Sequence, residues 1–233
     1  MDGILESYYQ PIADGEPLLM RGALAWTPSA FLQETFWHVE FASTNPAVDF
    51  GKGFITLKQR TADECHDVRS GIFHHNPVHP VHLRANEAYA AMRHKLRLVV
   101  IVSVGTELTG LGERALRKVA SRFPDCYVCA PIYTISSEAE PNRYPPSFIE
   151  MLKAYHFPMA FYLGPENGQR EACVRFDRIQ AIAKSFLRPH KLKLSIGCQK
   201  VFDDWLSQYL HGVLPAQSEI IEYRQLLAEQ GIA

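Results

Sequence analysis

The sequence predicts an α+β fold, a small curved sheet or barrel with helices on its outside. Three observations carry that expectation. Short apolar runs of strand length recur along the chain, hairpin-type turns separate some of them, and helical periodicity is confined to a few stretches. The elements follow in order. Arg21 to Trp26 is apolar enough for a first strand, and Thr27-Pro28-Ser29 then reads as a helix entry with proline in the first turn. Phe31, Phe36, Trp37 and Phe41 read as core aromatics, and Phe54 to Leu57 as a short strand. Asn86 is a candidate cap for a short helix through Met92.

Beyond that point the pattern is clearer. Leu96 to Val104 is a near-continuous β-branched run, the mark of a buried strand. Gly105 to Gly112 reads as a loop and Glu113 to Phe123 as a helix with Leu116, Val119, Ala120 and Phe123 on one side. Cys126 to Ile135 is the next strand, and the proline-rich stretch Ser136 to Pro146 a loop. Ala160 to Leu163 is a strand that breaks at Gly164-Pro165-Glu166-Asn167-Gly168, with Ala172 to Ile179 pairing back. Two helices close the chain, Cys198 to Leu210, with Val201, Trp205, Leu206 and Tyr209 inward, and Glu219 to Glu229, with Ser218 as its candidate cap. The whole chain, 1–233, is read as a single domain carrying a large insertion at about 29–92, between the first strand and the Leu96 strand.

Composition narrows the classes of function. The chain of 233 residues, 47% hydrophobic and 21% charged, is that of an ordinary globule, with no apolar run of membrane-spanning length and an acidic start unlike a signal peptide. The expectation is a cytoplasmic protein without membrane association. A formal charge of −1 argues against a generic nucleic-acid coat. Five cysteines show no disulfide-like spacing, and Cys126 and Cys129 lie on a strand where positions i and i+3 face opposite sides, so reduced, buried thiols are expected. His66, His74, His75, His79 and His82, with Cys65, could supply zinc ligands, although the spacing matches no zinc signature.

The most informative stretch runs from Val174 to Leu194. Arg175 and Asp177 are two residues apart, which puts both side chains on one face of a strand. Such a pair is either a structural ion pair or an acid–base pair aimed at a phosphodiester. Arg170, Arg175, Arg178, Lys184, Arg188, Lys191 and Lys193 outnumber Glu171 and Asp177 in this region, enough for a phosphate-binding face or a solvated basic strip. His156 and His190 read as surface residues.

The strand with Arg175-x-Asp177, followed by Ile179-Gln180, Ile182, Lys184, Ser185 and Leu187 and then Lys193-Leu194-Ser195, resembles the C-terminal part of the PemK/MazF toxin family. KLRLVVIVS (Lys95 to Ser103) is similar to that family's Lys-x-Arg-Pro-apolar strand, and CYVCAPIYT (Cys126 to Thr134) to its apolar strand ending in Pro-Ile-Thr. RGALAW (Arg21 to Trp26) matches its Gly-led first strand more weakly. The resemblance covers about residues 93–210. It implies an SH3-like, PemK/MazF-type small β-barrel with outer helices, a homodimer, and an antitoxin peptide or protein lying in the substrate groove.

It also implies a metal-independent endoribonuclease that needs no cofactor and cleaves RNA by attack of the ribose 2′-hydroxyl on the adjacent phosphorus. On the matched positions Asp177 would be the base, Arg175 would stabilise the phosphorane-like charge, and Arg97 would contact the scissile phosphate. Tyr133 or Thr134 would supply a hydroxyl hydrogen bond. Pro131-Ile132-Tyr133-Thr134 runs one residue late against the family's pattern, and a one-residue slip turns a strand side chain to the other face. Arg178, Gln180, Lys184 and Arg143 are the candidates for further RNA contacts. Leu98 stands where the family has proline, and His38 and the histidines of 66–82 are candidates for the family's first-loop histidine by proximity only. Two alternatives accompany this reading. One is a catalytically degenerate RNA- or protein-binding module of the same fold, and the other a zinc-dependent hydrolase using His66 to His82.

Overall fold

The computed structural model describes residues 5–30, 36–42, 54–60, 90–91, 94–104, 126–135 and 144–230. The chain divides into two compact units, one of residues 1–29 with 96–233 and one of residues 30–95. The smaller unit holds a three-stranded antiparallel sheet in the order β4-β3-β5, from β3 (Phe36–Ala42), β4 (Phe54–Arg60) and β5 (Ala90–Ala91). Ala90 and Ala91 are therefore strand where a helix from Asn86 through Met92 was expected. Two residues bonded along β3 outweigh a local capping signal. Phe31, the histidines of 66–82, Arg143 and the expected helix Glu113 to Phe123 lie outside the described residues.

The larger unit is a mixed α/β structure built on an eight-stranded antiparallel sheet. Its strands are β1 (Tyr9–Pro11), β2 (Ala23–Ala30), β6 (His94–Ser103), β7 (Cys126–Thr134), β8 (Ala160–Leu163), β9 (Ala172–Arg175), β10 (Gln180–Ala183) and β11 (Arg188–Leu194). The order is β1-β11-β2-β6-β7-β9-β8, with β10 also on β7. Among the described residues this ladder is open, so hydrogen bonding does not close the expected barrel.

Thr27-Pro28-Ser29 is strand where a helix entry was expected. β2 runs through all three residues, with Ala25, Thr27 and Ser29 buried and Trp26 and Pro28 exposed. That period of two is a sheet pattern, and Pro28 lies past Trp26, the last β2 residue paired with β11. A short helix, α1 (Pro146–Lys153), follows the loop that was expected to end at Pro146, with a proline opening its first turn.

Two layers of side chains result. On one face Leu24, Leu98, Val100, Ala130 and Val174 pack against Val201, Phe202, Trp205 and Leu206 of α2 (Ile196–His211) and Ile220 of α3 (Glu219–Glu229). On the opposite face Ala23, Ala25, Val99, Ile101, Tyr127, Cys129, Ile182 and Leu187 form a second core. Ser195 caps α2, its Oγ accepting from the Cys198 N–H at 3.1 Å, and Gly212 ends it in the left-handed region at φ 71°. Ser218 begins α3 as expected, but its buried hydroxyl makes no capping bond. Glu166, in the β8–β9 turn, fastens β1 by accepting from Ser7 Oγ (2.7 Å) and the Tyr8 N–H (2.6 Å).

Cys126 is half-buried while Cys129, Cys173 and Cys198 are buried, all as free thiols, and burial pushes Cys129 up to about 12. Alkylation of the native protein at neutral pH should modify Cys126 and spare these three until the chain is unfolded. Peptide mapping of the labelled sites checks this, and rapid native labelling of Cys129 would contradict the strand assignment. Among the described residues no helix is long and apolar enough to cross a membrane.

Candidate functional site

The expected strand Ala172 to Ile179 ends early, and the interruption builds the site. Val174 pairs with Ile132, and Gln180 with Cys129. Six positions on this side thus span three on β7. The three surplus residues, Phe176–Arg178, leave the ladder as a single 3-10 turn. Phe176 turns into the helix-side core, while Asp177 folds back onto Arg175. The two side chains meet as expected, through the turn and not through strand alternation.

Their contact is bidentate. Arg175 Nε donates to Asp177 Oδ1 at 2.7 Å and Nη2 to Oδ2 at 2.6 Å, while Arg178 Nε lies 3.4 Å from Oδ2. Partial burial works to raise the Asp177 pKa. The Arg175 hydrogen bonds and the Arg175 and Arg178 charges outweigh it, so the carboxyl titrates below its ordinary value of 3.8. The same hydrogen bond raises the Arg175 pKa. Because the folded value is depressed, the stabilisation from this pair is present above pH 3.8 and is lost as pH falls through the lower folded value. An NMR titration of the Asp177 carboxyl carbon should show a midpoint below 3.8 that returns toward it in Arg175→Ala. A native midpoint at or above the ordinary value would contradict the pairing.

Arg97 joins the pair across β7. Val99 pairs with Pro131, so Arg97 comes level with Tyr133, and its guanidinium carbon lies 4.1 Å from the centre of the Tyr133 ring. Arg175 lies 5.9 Å from the same ring centre. Both guanidiniums therefore approach the one ring of Tyr133. It sits on the face that carries Val99 and Cys129, opposite the α2 and α3 layer, pairs with Cys173, and packs against the cluster that contains Cys173 and Tyr162.

Thr134 stands apart from this group. It pairs with Ala172, which belongs to the helix-side core, so strand alternation directs it away from Arg97 and Arg175. Of the two hydroxyls matched to the strand end, only that of Tyr133 shares a face with the arginines. Gln180, two residues past the 3-10 turn, donates from Nε2 to Ser29 Oγ at 3.1 Å. Ser29 and Thr27, buried on the same face of β2 as Ala23 and Ala25, were not anticipated, although the alternation Ala23, Ala25, Thr27, Ser29 is visible in the sequence. Arg178 is tied to Asp177, and Lys184 is exposed on a second 3-10 turn, Lys184–Phe186. His38 lies on β3, opposite Lys58 and Ala90.

The gathered set carries a net excess of guanidinium charge, Arg97, Arg175 and Arg178 against Asp177. A depression of about 220 Å³ lies elsewhere, between α1 and α3, lined by Ser147, Glu150, Lys153, His156 and Tyr223 among others, and includes none of these residues. Among the described residues no group of three or more His, Cys, Asp or Glu side chains could hold a metal. Chemically, the face can bind a phosphodiester through Arg97 and Arg175, donate a hydroxyl hydrogen bond from Tyr133, and offer a carboxylate from Asp177. No family model, curated protein or solved structure matches the chain.

Proposed function

We propose that this protein is a metal-independent endoribonuclease of the toxin–antitoxin kind. The observation that carries the reading is the convergence of Arg97, Tyr133, Arg175 and Asp177, from three neighbouring strands and one turn, on one face. In the proposed reaction Arg97 and Arg175 hold the non-bridging oxygens of the scissile phosphate and stabilise their charge as the phosphorus becomes five-coordinate. The phosphate draws Arg175 off one Asp177 oxygen, and that oxygen takes the proton of the 2′-hydroxyl. The 2′-oxygen–phosphorus bond forms and the bond to the 5′-oxygen breaks. The leaving oxygen takes a proton from Tyr133 or from water, giving a 2′,3′-cyclic phosphate and a free 5′-hydroxyl.

The proposed fold version is the PemK/MazF-type barrel in enlarged form. It is supported by one continuous stretch, Gln180 to Leu194, which pairs with β7 at its start and with β2 at its end. The stretch bends at the Lys184–Phe186 turn and wraps the core of Ala25, Ile101, Cys129 and Ile182. A homodimer, an antitoxin segment lying over the arginine face, and a cytoplasmic setting belong to the same proposal.

One observation favours a second reading. Both Asp177 oxygens are occupied, and a carboxyl held below its ordinary range is a weak base. An RNA-binding module without cleavage would look the same at rest. A 5′-labelled mixed-sequence RNA separates the two. The ribonuclease cleaves it at discrete sites, whereas the binding module shifts it in a gel with no scission, and absence of both would remove the two readings together.

A further inference from the structure

We propose a second nucleic-acid contact surface, a stacking platform for single-stranded RNA built from Phe186, Arg188 and Trp26. Phe186 is 63% exposed and Trp26 40% exposed, whereas the other aromatic side chains among the described residues are largely packed into clusters. Around Leu187 the backbone is extended and that side chain is buried, so Phe186 and Arg188 leave the chain together on the outward side. Arg188 pairs directly across the ladder with Trp26. Side chains at a directly paired position share a face and stand about 5 Å apart at their Cβ atoms. An exposed guanidinium thus lies between two exposed rings, one two residues back along its own strand and one directly across.

The surrounding charge says what fits there. From Arg178 to Phe202 the sequence contains no Asp or Glu, while Lys184, Arg188 and Lys191 are all exposed. Arg188 and Lys191 make no ion pair among the described residues. A lone exposed aromatic is ordinary. Two of them flanking an arginine, on a strand whose nearest ion-paired carboxylate, Glu16, is held by Lys193 five residues further on, match the pattern that binds unpaired bases by stacking and their backbone by charge. Duplex RNA hides its base faces and gains only the charge contribution, so the platform selects single strands. Trp26 has the parity of Leu24, which faces the α2 side, whereas Arg97 and Tyr133 occupy the other face. The platform is therefore separate from the cleavage face, and its choice of RNA as ligand rests on the function proposed above.

The test measures fluorescence quenching and affinity with the full-length protein, a single-stranded oligoribonucleotide, the same sequence as a duplex, and polyglutamate. Single-stranded RNA is expected to quench tryptophan emission in the wild type and much less in Trp26→Phe. Phe186→Ala should lower single-strand affinity roughly tenfold with the duplex affinity nearly unchanged, while Phe186→Trp retains it. Arg188→Gln should weaken binding and flatten its salt dependence. Single-strand binding that is lost in Arg97→Ala and Arg175→Ala but unaffected in Phe186→Ala overturns the platform and leaves the cleavage face intact. The reverse pattern upholds the platform and removes the cleavage face. Quenching by polyglutamate and not by RNA overturns the platform, because its occupant is then an acidic polypeptide.

Discussion

Replacing Arg175 with alanine is expected to lower RNA cleavage about 10²–10³-fold, the usual cost of deleting one preorganised charge-stabilising donor. The loss has two parts. Phosphate loses the guanidinium nearest the carboxylate, and Asp177 loses the bidentate partner that fixes its position. Arg175→Lys keeps a charge but not the fork and should fall between wild type and alanine. The folded state should change little, because the side chain is 31% exposed and partly solvated pairs contribute modestly to stability. Tyr133→Phe and Thr134→Ala sharpen the test. The first removes the hydroxyl of the ring that both arginines approach and should slow cleavage, while the second alters a side chain of the opposite face and should not. Equal loss in both would mean that the strand register is misassigned.

The largest expected effect on stability is at Trp205. Its side chain is fully buried beneath the sheet, its ring meets Tyr155 edge-on at 5.4 Å, and its Nε1 donates to the Ala160 carbonyl at 2.8 Å. Trp205→Ala should cost about 3–5 kcal/mol, from lost burial, the cavity left behind, and the unpaired carbonyl at the start of β8. Trp205→Phe refills most of the volume without restoring the hydrogen bond and should cost less. Urea unfolding of the three proteins checks the order. A loss below about 1 kcal/mol for the alanine variant would contradict the placement of α2 as the cover of the sheet.

The sequence made the strongest hydrophobic elements legible. Val99 to Ile101 is fully apolar because the strand is buried on both faces, and Val201, Trp205 and Leu206 show helical spacing because α2 covers one face only. The failures are local signals overruled by pairing. Thr27-Pro28-Ser29 reads as a helix entry with proline in the first turn, yet it continues a strand whose alternate residues are buried. The pairing of Arg175 with Asp177 was legible, but its cause was not. Three residues had to leave the β7 ladder, and register between strands distant in sequence has no local signature. The choice between Tyr133 and Thr134 was likewise a question of face, answered only once Tyr133 could be set level with Arg97 and Cys173. β10 and β11 have little local signature because Gln180 to Leu194 mixes charge and proline through strand positions, with outward Phe186 and Arg188 interrupting the apolar pattern.

The most direct measurement incubates the purified protein with a mixed-sequence RNA in EDTA and reads the chemistry of the new ends, beside folded Arg175→Ala and Asp177→Ala. The expected result is cleavage at discrete positions, with 5′-hydroxyl and 2′,3′-cyclic phosphate ends, lost in both variants. Intact RNA with a folded wild-type protein, or cleavage that persists in both variants, would contradict the assignment of Arg97, Tyr133, Arg175 and Asp177 as a ribonuclease site.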